Sequence, residues 1–110
     1  MAKVTVEIEV DTQELWESVF GASPFSFGDH WVDVHYSLGT EWDKIGSVII
    51  TCLNADDKEV TKTVTIESLL EALPIANSKV SMNLLDFDDY DAVCADAILQ
   101  VAVIGDVVFG

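Results

Sequence analysis

At 110 residues, half of them hydrophobic, the chain is long enough for one compact domain, 1–110, and too short for two. Twenty acidic residues against five lysines give a formal charge of −15, with no arginine. Such a field repels nucleic acid and anionic membrane and attracts basic surfaces, and no guanidinium fork is present to grip phosphate, so direct nucleic-acid binding is not expected.

The amino-terminal stretch MAKVTVEIEV alternates apolar and polar residues instead of forming a signal-peptide block. It predicts a half-buried strand over 4–10, with Val4, Val6, Ile8 and Val10 on one face. Asp11 followed by Glu14 has the spacing of a capping box, and Leu15, Trp16, Val19 and Phe20 share a helical face that Gly21 closes. ASPFSFGDHW (22–31) reads as a loop. WVDVHY (31–36) alternates, with Val32, Val34 and Tyr36 facing one way. SVIITCL (47–53) and VTKTVTI (60–66), joined by NADDKE, predict an antiparallel hairpin. Thr65 caps a short helix over 66–73 that Pro74 terminates, and 75–85 reads as irregular. From Tyr90 through Val93, Cys94, Ala97, Ile98, Val101 and Ile104 to Val108, apolar residues recur at helical spacing. They predict an amphipathic helix of about 18 residues, roughly 27 Å long. The expected fold is α+β: a small antiparallel sheet of three to four strands, with two short helices and one long C-terminal helix packed on it. No stretch reaches the roughly 18 to 20 apolar residues of a membrane span. A soluble, cytoplasmic protein is expected.

Two groups of residues stand out as candidate sites. In DFDDYD (86–91) four aspartates fall within six residues. A calcium loop starting at Asp86 would need an oxygen ligand at its fifth position, glycine at its sixth and glutamate at its twelfth, where this chain has Tyr90, Asp91 and Ala97. The aspartates suit the positive end of a helix dipole instead. Exposed carboxylates at helical spacing also imitate a line of phosphates, and Glu67 with Glu71, and Asp56, Asp57 and Glu59, add further acidic groups. The second group is aromatic: seven of the ten aromatic residues lie between Trp16 and Trp42, and Phe25, Phe27 and Trp31 fall in the glycine-containing loop.

Catalytic signatures are weak. His30 and His35 are five apart, hence on opposite faces of a shared strand, and no phosphate loop, HExxH or nucleophile elbow occurs. Cys52 and Cys94 sit in apolar contexts that predict small buried hydrophobes. No enzyme, metal or cofactor is expected.

Ala95-Asp96 followed by Ile98, Gln100, Ala102, Gly105, Val108, Phe109 and Gly110 resembles the closing signature of small acidic proteins from bacteriophages of actinobacteria. The layout is similar too: an alternating strand, a helix, a glycine–aromatic loop ending in tryptophan, and this tail. The loop here reads Phe27-Gly28-Asp29-His30-Trp31, where a more compact glycine and Tyr-Trp pattern is expected of the group. The resemblance implies a viral origin and expression in a host cytoplasm, and brings no activity with it. The resulting expectation is a non-enzymatic host-interaction protein, of a counter-defence kind, that binds and blocks a basic host protein through Asp86, Asp88, Asp89 and Asp91. The alternative is a small-molecule binder that sequesters a nucleotide-like host signal between Phe25, Phe27 and Trp31.

Overall fold

A computed structural model describes residues 11–22, 24–26, 28–40, 43–80 and 92–109, with 77–80 described by backbone alone. The strand expected over 4–10 and the acidic run 86–91 lie outside the described residues. Helix α1 (Thr12–Phe20) forms as its spacing predicts. Asp11 Oδ1 accepts from the Glu14 amide at 3.1 Å, and the Gly21 amide closes the last turn on the Glu17 carbonyl at 2.8 Å. Leu15, Trp16, Val19 and Phe20 are buried. A 3-10 turn (Pro24–Ser26) then leads to strand β1 (Trp31–Tyr36).

Strands β2 (Val48–Leu53) and β3 (Glu59–Val64) complete an antiparallel sheet in the order β1-β2-β3. Asn54 builds the β2–β3 turn. Its side-chain oxygen accepts from the amides of Asp56 and Lys58, at 2.9 and 3.1 Å. Asp57 takes φ 58°, which a short polar side chain tolerates. Val48, Ile50, Cys52 and Val64 face the helices and are buried, whereas Ile49 on the opposite face is exposed. The register of β1 shifts between Trp31 and Asp33. This bulge removes Val32 from the face expected for it: Trp31 and Val34 pack on the core, and Val32 is exposed.

Helix α2 (Ile66–Val80) corrects the expected stop at Pro74, since residues 75–80 remain helical. Thr65 does cap it, in exchange with Ser68. The Thr65 amide donates to Ser68 Oγ at 3.1 Å, and the Ser68 amide to Thr65 Oγ1 at 3.4 Å. Proline deprives the Leu70 carbonyl of its helical donor, at a cost of about 3 kcal/mol. Leu69, Ala72, Leu73 and Ala76 nevertheless continue one buried stripe through it. Burial of each leucine contributes roughly 1.5–3 kcal/mol, so packing outweighs the missing bond.

Helix α3 (Ala92–Ile104) ends short of the expected Val108 and is not amphipathic. Every residue from Ala95 to Val103 is buried, because α1, α2, β2, β3 and the Pro24 turn all pack around it. Gly105, at φ +82°, ends it by returning its amide to the Val101 carbonyl at 3.0 Å, so Val108 belongs to a non-helical tail. The α+β class holds, with α3 as a central post. No helix among the described residues is long and apolar enough to cross a membrane.

Replacing Pro74 with alanine restores a donor for the Leu70 carbonyl on an exposed helix face. Chemical denaturation is expected to show Pro74→Ala more stable than the parent by about 1–3 kcal/mol; an unchanged or lowered midpoint means that the helix has adapted to its proline.

Candidate functional site

The chemistry concentrated by the fold lies around Asp96, a carboxylate 1% exposed in the middle of α3. Taking a carboxylate out of water costs several kcal/mol even after relaxation, so it must be surrounded by donors. Three side chains supply them. Trp31 Nε1–H donates to Oδ1 at 2.7 Å, His30 Nε2 lies 2.6 Å from the same oxygen, and Gln100 Nε2–H donates to Oδ2 at 2.6 Å. Against a carboxylate that only accepts, His30 donates in the tautomer that carries its hydrogen on Nε2. Hydrogen bonds to a charged group contribute about 1.5–3 kcal/mol each, which brings three of them to the scale of the desolvation cost.

Gln100 stands one helical turn after Asp96 and carries the network to the tail. Its Nε2 also donates to the Phe109 carbonyl at 2.8 Å, while its Oε1 accepts from the Val108 and Phe109 amides, both at 2.9 Å. The amide thus pairs with the backbone as a neighbouring strand does. The tail so held lays Phe109 against His30, with ring centroids 4.6 Å apart and planes inclined by 5°. On β1 the Trp31 ring lies 4.9 Å from the imidazole, and Phe25 meets Trp31 edge-on at 5.3 Å.

The backbone before β1 is shaped to the imidazole. Gly28 adopts φ +93°, and a Cβ there would come within 2.9 Å of His30 Cε1 and Nδ1. Both the conformation and the close approach require glycine. The Leu53 amide donates to the His30 carbonyl at 2.9 Å, tying this segment to the end of β2. Cys52 completes the surroundings. Burial first, and the Asp96 charge second, push its thiol from 9.0 up to about 11. A thiol so raised stays protonated at neutral pH and is a poor nucleophile.

A histidine oriented by a carboxylate is a component of hydrolytic triads. Here the imidazole is 5% exposed beneath Phe109, and the neighbouring thiol is held in its unreactive form. The arrangement therefore works as a clasp: it fixes the loop before β1, helix α3 and the tail to one another. Among the described residues no group of three His, Cys, Asp or Glu side chains gathers to hold a metal.

Of the residues singled out in the sequence, Phe25 and Trp31 come together, packed against the core, with the indole N–H taken by Asp96. Phe27 lies outside the described residues, as do Asp86, Asp88, Asp89 and Asp91. His35 is on the exposed sheet face, 2.7 Å from Asp33. Asp96, Gln100 and His30 were not expected to form a site. The available signal was two polar residues four apart inside AVCADAILQVAVI, since a helix buried all round must satisfy such groups internally. No protein-family model, curated protein or solved structure matches this chain in the comparisons made.

Replacing Gln100 with leucine keeps the volume but strands Asp96 Oδ2 and three backbone groups of the tail. Gln100→Leu is expected to cost about 2–4 kcal/mol and to abolish hydrogen-exchange protection of the Val108 and Phe109 amides. Retained protection would show that the tail is held by other means.

Alkali supplies a second test. The folded value of the Cys52 thiol lies above its ordinary one, so the native state binds that proton more tightly. Its contribution is complete below pH 9.0 and is lost as pH rises through about 11. Burial raises the Tyr36 hydroxyl in the same direction. Urea midpoints are expected to fall across this range, and Cys52→Val is expected to flatten part of the fall; parallel profiles for the two proteins would contradict the assignment.

Proposed function

We propose that the chain is a non-enzymatic binding protein that occupies a basic surface on a partner protein. The observation that carries this reading is the distribution of charge. Among the described residues eleven acidic side chains are exposed, from Asp11 capping α1 and Glu14 and Glu17 on it to Asp56 and Asp57 in the hairpin turn, against the three lysines Lys44, Lys58 and Lys62. Opposing lysines are too few to neutralise such a surface internally, and a field of one sign steers and orients a partner of the other.

The buried clasp supports the same reading, because it rigidifies the domain and leaves the histidine beneath the tail. The tail resemblance to small acidic phage proteins makes the partner a host protein in this proposal, blocked by occupation in a counter-defence role. Asp86, Asp88, Asp89 and Asp91 are its intended contacts. The aromatic-loop alternative draws no support from the described residues, since Phe25 and Trp31 pack on each other and on the core.

Capture of host proteins on the immobilised chain, followed by titration of the captured partner, tests the proposal. Affinity is expected to fall steeply as salt shortens the screening length from about 10 Å at 0.1 M to about 3 Å at 1 M. Joint replacement of Asp86, Asp88, Asp89 and Asp91 by asparagine is expected to weaken it at least about tenfold, or about 1.4 kcal/mol. A salt-insensitive complex, or one indifferent to the quadruple change, would sink the idea.

A further inference from the structure

Gln100 and His30 are each held by Asp96 on one side and turn the other side to the tail. The Gln100 amide gives one Nε2 hydrogen to Asp96 Oδ2 at 2.6 Å and the other to the Phe109 carbonyl at 2.8 Å. Its Oε1 then meets the Val108 and Phe109 amides. His30 is fixed along its edge, by Asp96 Oδ1 at 2.6 Å and by the close approach of Gly28, and offers its flat face to Phe109. Both orientations are set from behind, by a buried charge. Recognising groups positioned in this way are prepared for a ligand before it arrives.

The tail occupies these groups in the manner of a bound peptide. Every hydrogen bond that Val108 and Phe109 make among the described residues ends on the Gln100 side chain. Gln100 therefore reads two successive N–H groups and a C=O, which a peptide of almost any sequence carries. His30, with Trp31 beside it, reads a planar side chain. Val108 itself stays 39% exposed. The tail also begins at a swivel. Gly105 has φ +82°, and a Cβ built there meets nothing within 4 Å, so the backbone at the junction has open space in which to turn.

We propose that Gln100 and His30 form a binding site for a basic peptide segment of another protein, one that lays an aromatic side chain on His30, and that residues 106–109 fill this site as a built-in competitor. The tail swings away about Gly105, and the incoming segment takes over the pairing with Gln100 and the stacking on the imidazole. Asp96 keeps His30, Trp31 and Gln100 as its donors throughout, so the exchange leaves the buried charge satisfied. Net charge decides the kind of segment. A field of −15 concentrates basic peptides, whereas the tail brings Asp106 into that field. The site does not rest on the acidic contacts proposed above, and its test uses a peptide alone.

The probe is a fluorescein-labelled peptide, Lys-Val-Val-Phe-Gly, titrated with the full chain and followed by anisotropy. Phe109→Ala uncovers the face of His30 and is expected to bind the peptide saturably, with a Kd of about 1 mM or tighter. The parent, whose own tail competes, is expected to bind at least about tenfold more weakly. Two altered peptides, one with alanine for phenylalanine and one methylated on the amide nitrogens of the second valine and the phenylalanine, are each expected to lose at least about tenfold. In the parent, saturating unlabelled peptide is expected to remove hydrogen-exchange protection from the Val108 and Phe109 amides while that of α3 persists. Absence of saturable binding to Phe109→Ala overturns the proposal, as does indifference to either peptide change. Tail protection that survives the peptide, or is lost only together with that of α3, overturns it too. Equal binding of Asp-Val-Val-Phe-Gly, the tail's own sequence, would assign the site to a second copy of this chain and sink the basic ligand. Should Phe109→Ala fail to fold, the exchange measurement on the parent decides the matter.

Discussion

A single buried carboxylate sets the terms on which this domain closes. Asp96 occupies the centre of a helix whose surroundings are otherwise apolar, and its two oxygens are satisfied by side chains from three places: the loop before β1, the first residue of β1 and the next turn of α3. Removing any one of these donors leaves a charge short of partners in a medium where that shortage is expensive. The carboxylate therefore specifies geometry in a way that the surrounding valines and alanines do not. Apolar contacts tolerate sliding and repacking, whereas a carboxylate with its donors at 2.6–2.7 Å does not.

From that point the organisation spreads outward. Gln100 converts the polarity of Asp96 into a backbone-like edge for Val108 and Phe109, and Phe109 in turn covers the imidazole that helps to hold Asp96. The tail and the loop are thus mutually dependent although neither contains regular structure. Such mutual support gives an acidic chain a definite shape against its own charge repulsion. A surface of defined shape and one dominant sign is what the proposed partner recognition requires.

The legibility of the sequence varied with the range of the interaction that decides each feature. Helix α1 could be read residue by residue, because Asp11, Glu14 and the 15/16/19/20 face are local signals. The β2–β3 hairpin was equally legible from alternation and its polar turn. Pro74 misled because a proline is a local argument for a stop, whereas the stripe Leu69–Leu73–Ala76 is anchored by α3, distant in the chain. The bulge at Val32 accompanies the Trp31–Asp96 hydrogen bond, a contact across 65 residues that no periodicity within six residues records. For the same reason α3 appeared amphipathic: Cys94, Ala97 and Val101 do make a stripe, but the opposite side is buried too. Asp96 and Gln100 were visible as polar interruptions four apart, while their partners could only be known once residues 30, 31 and 109 were placed in space.

The clasp also bears on how the chain reaches its native state. His30 and Trp31 meet Asp96 across 66 and 65 residues of sequence. Closing loops of that length costs conformational entropy before any bond is made, and topologies rich in such contacts fold slowly. Helix α1 and the β2–β3 hairpin need no such closure and are free to form early, whereas Asp96 leaves water only when both ends of the long loop arrive together. Burial of this carboxylate is therefore coupled to the closing of that loop, and its hydrogen bonds offset an entropy cost that the local elements do not bear.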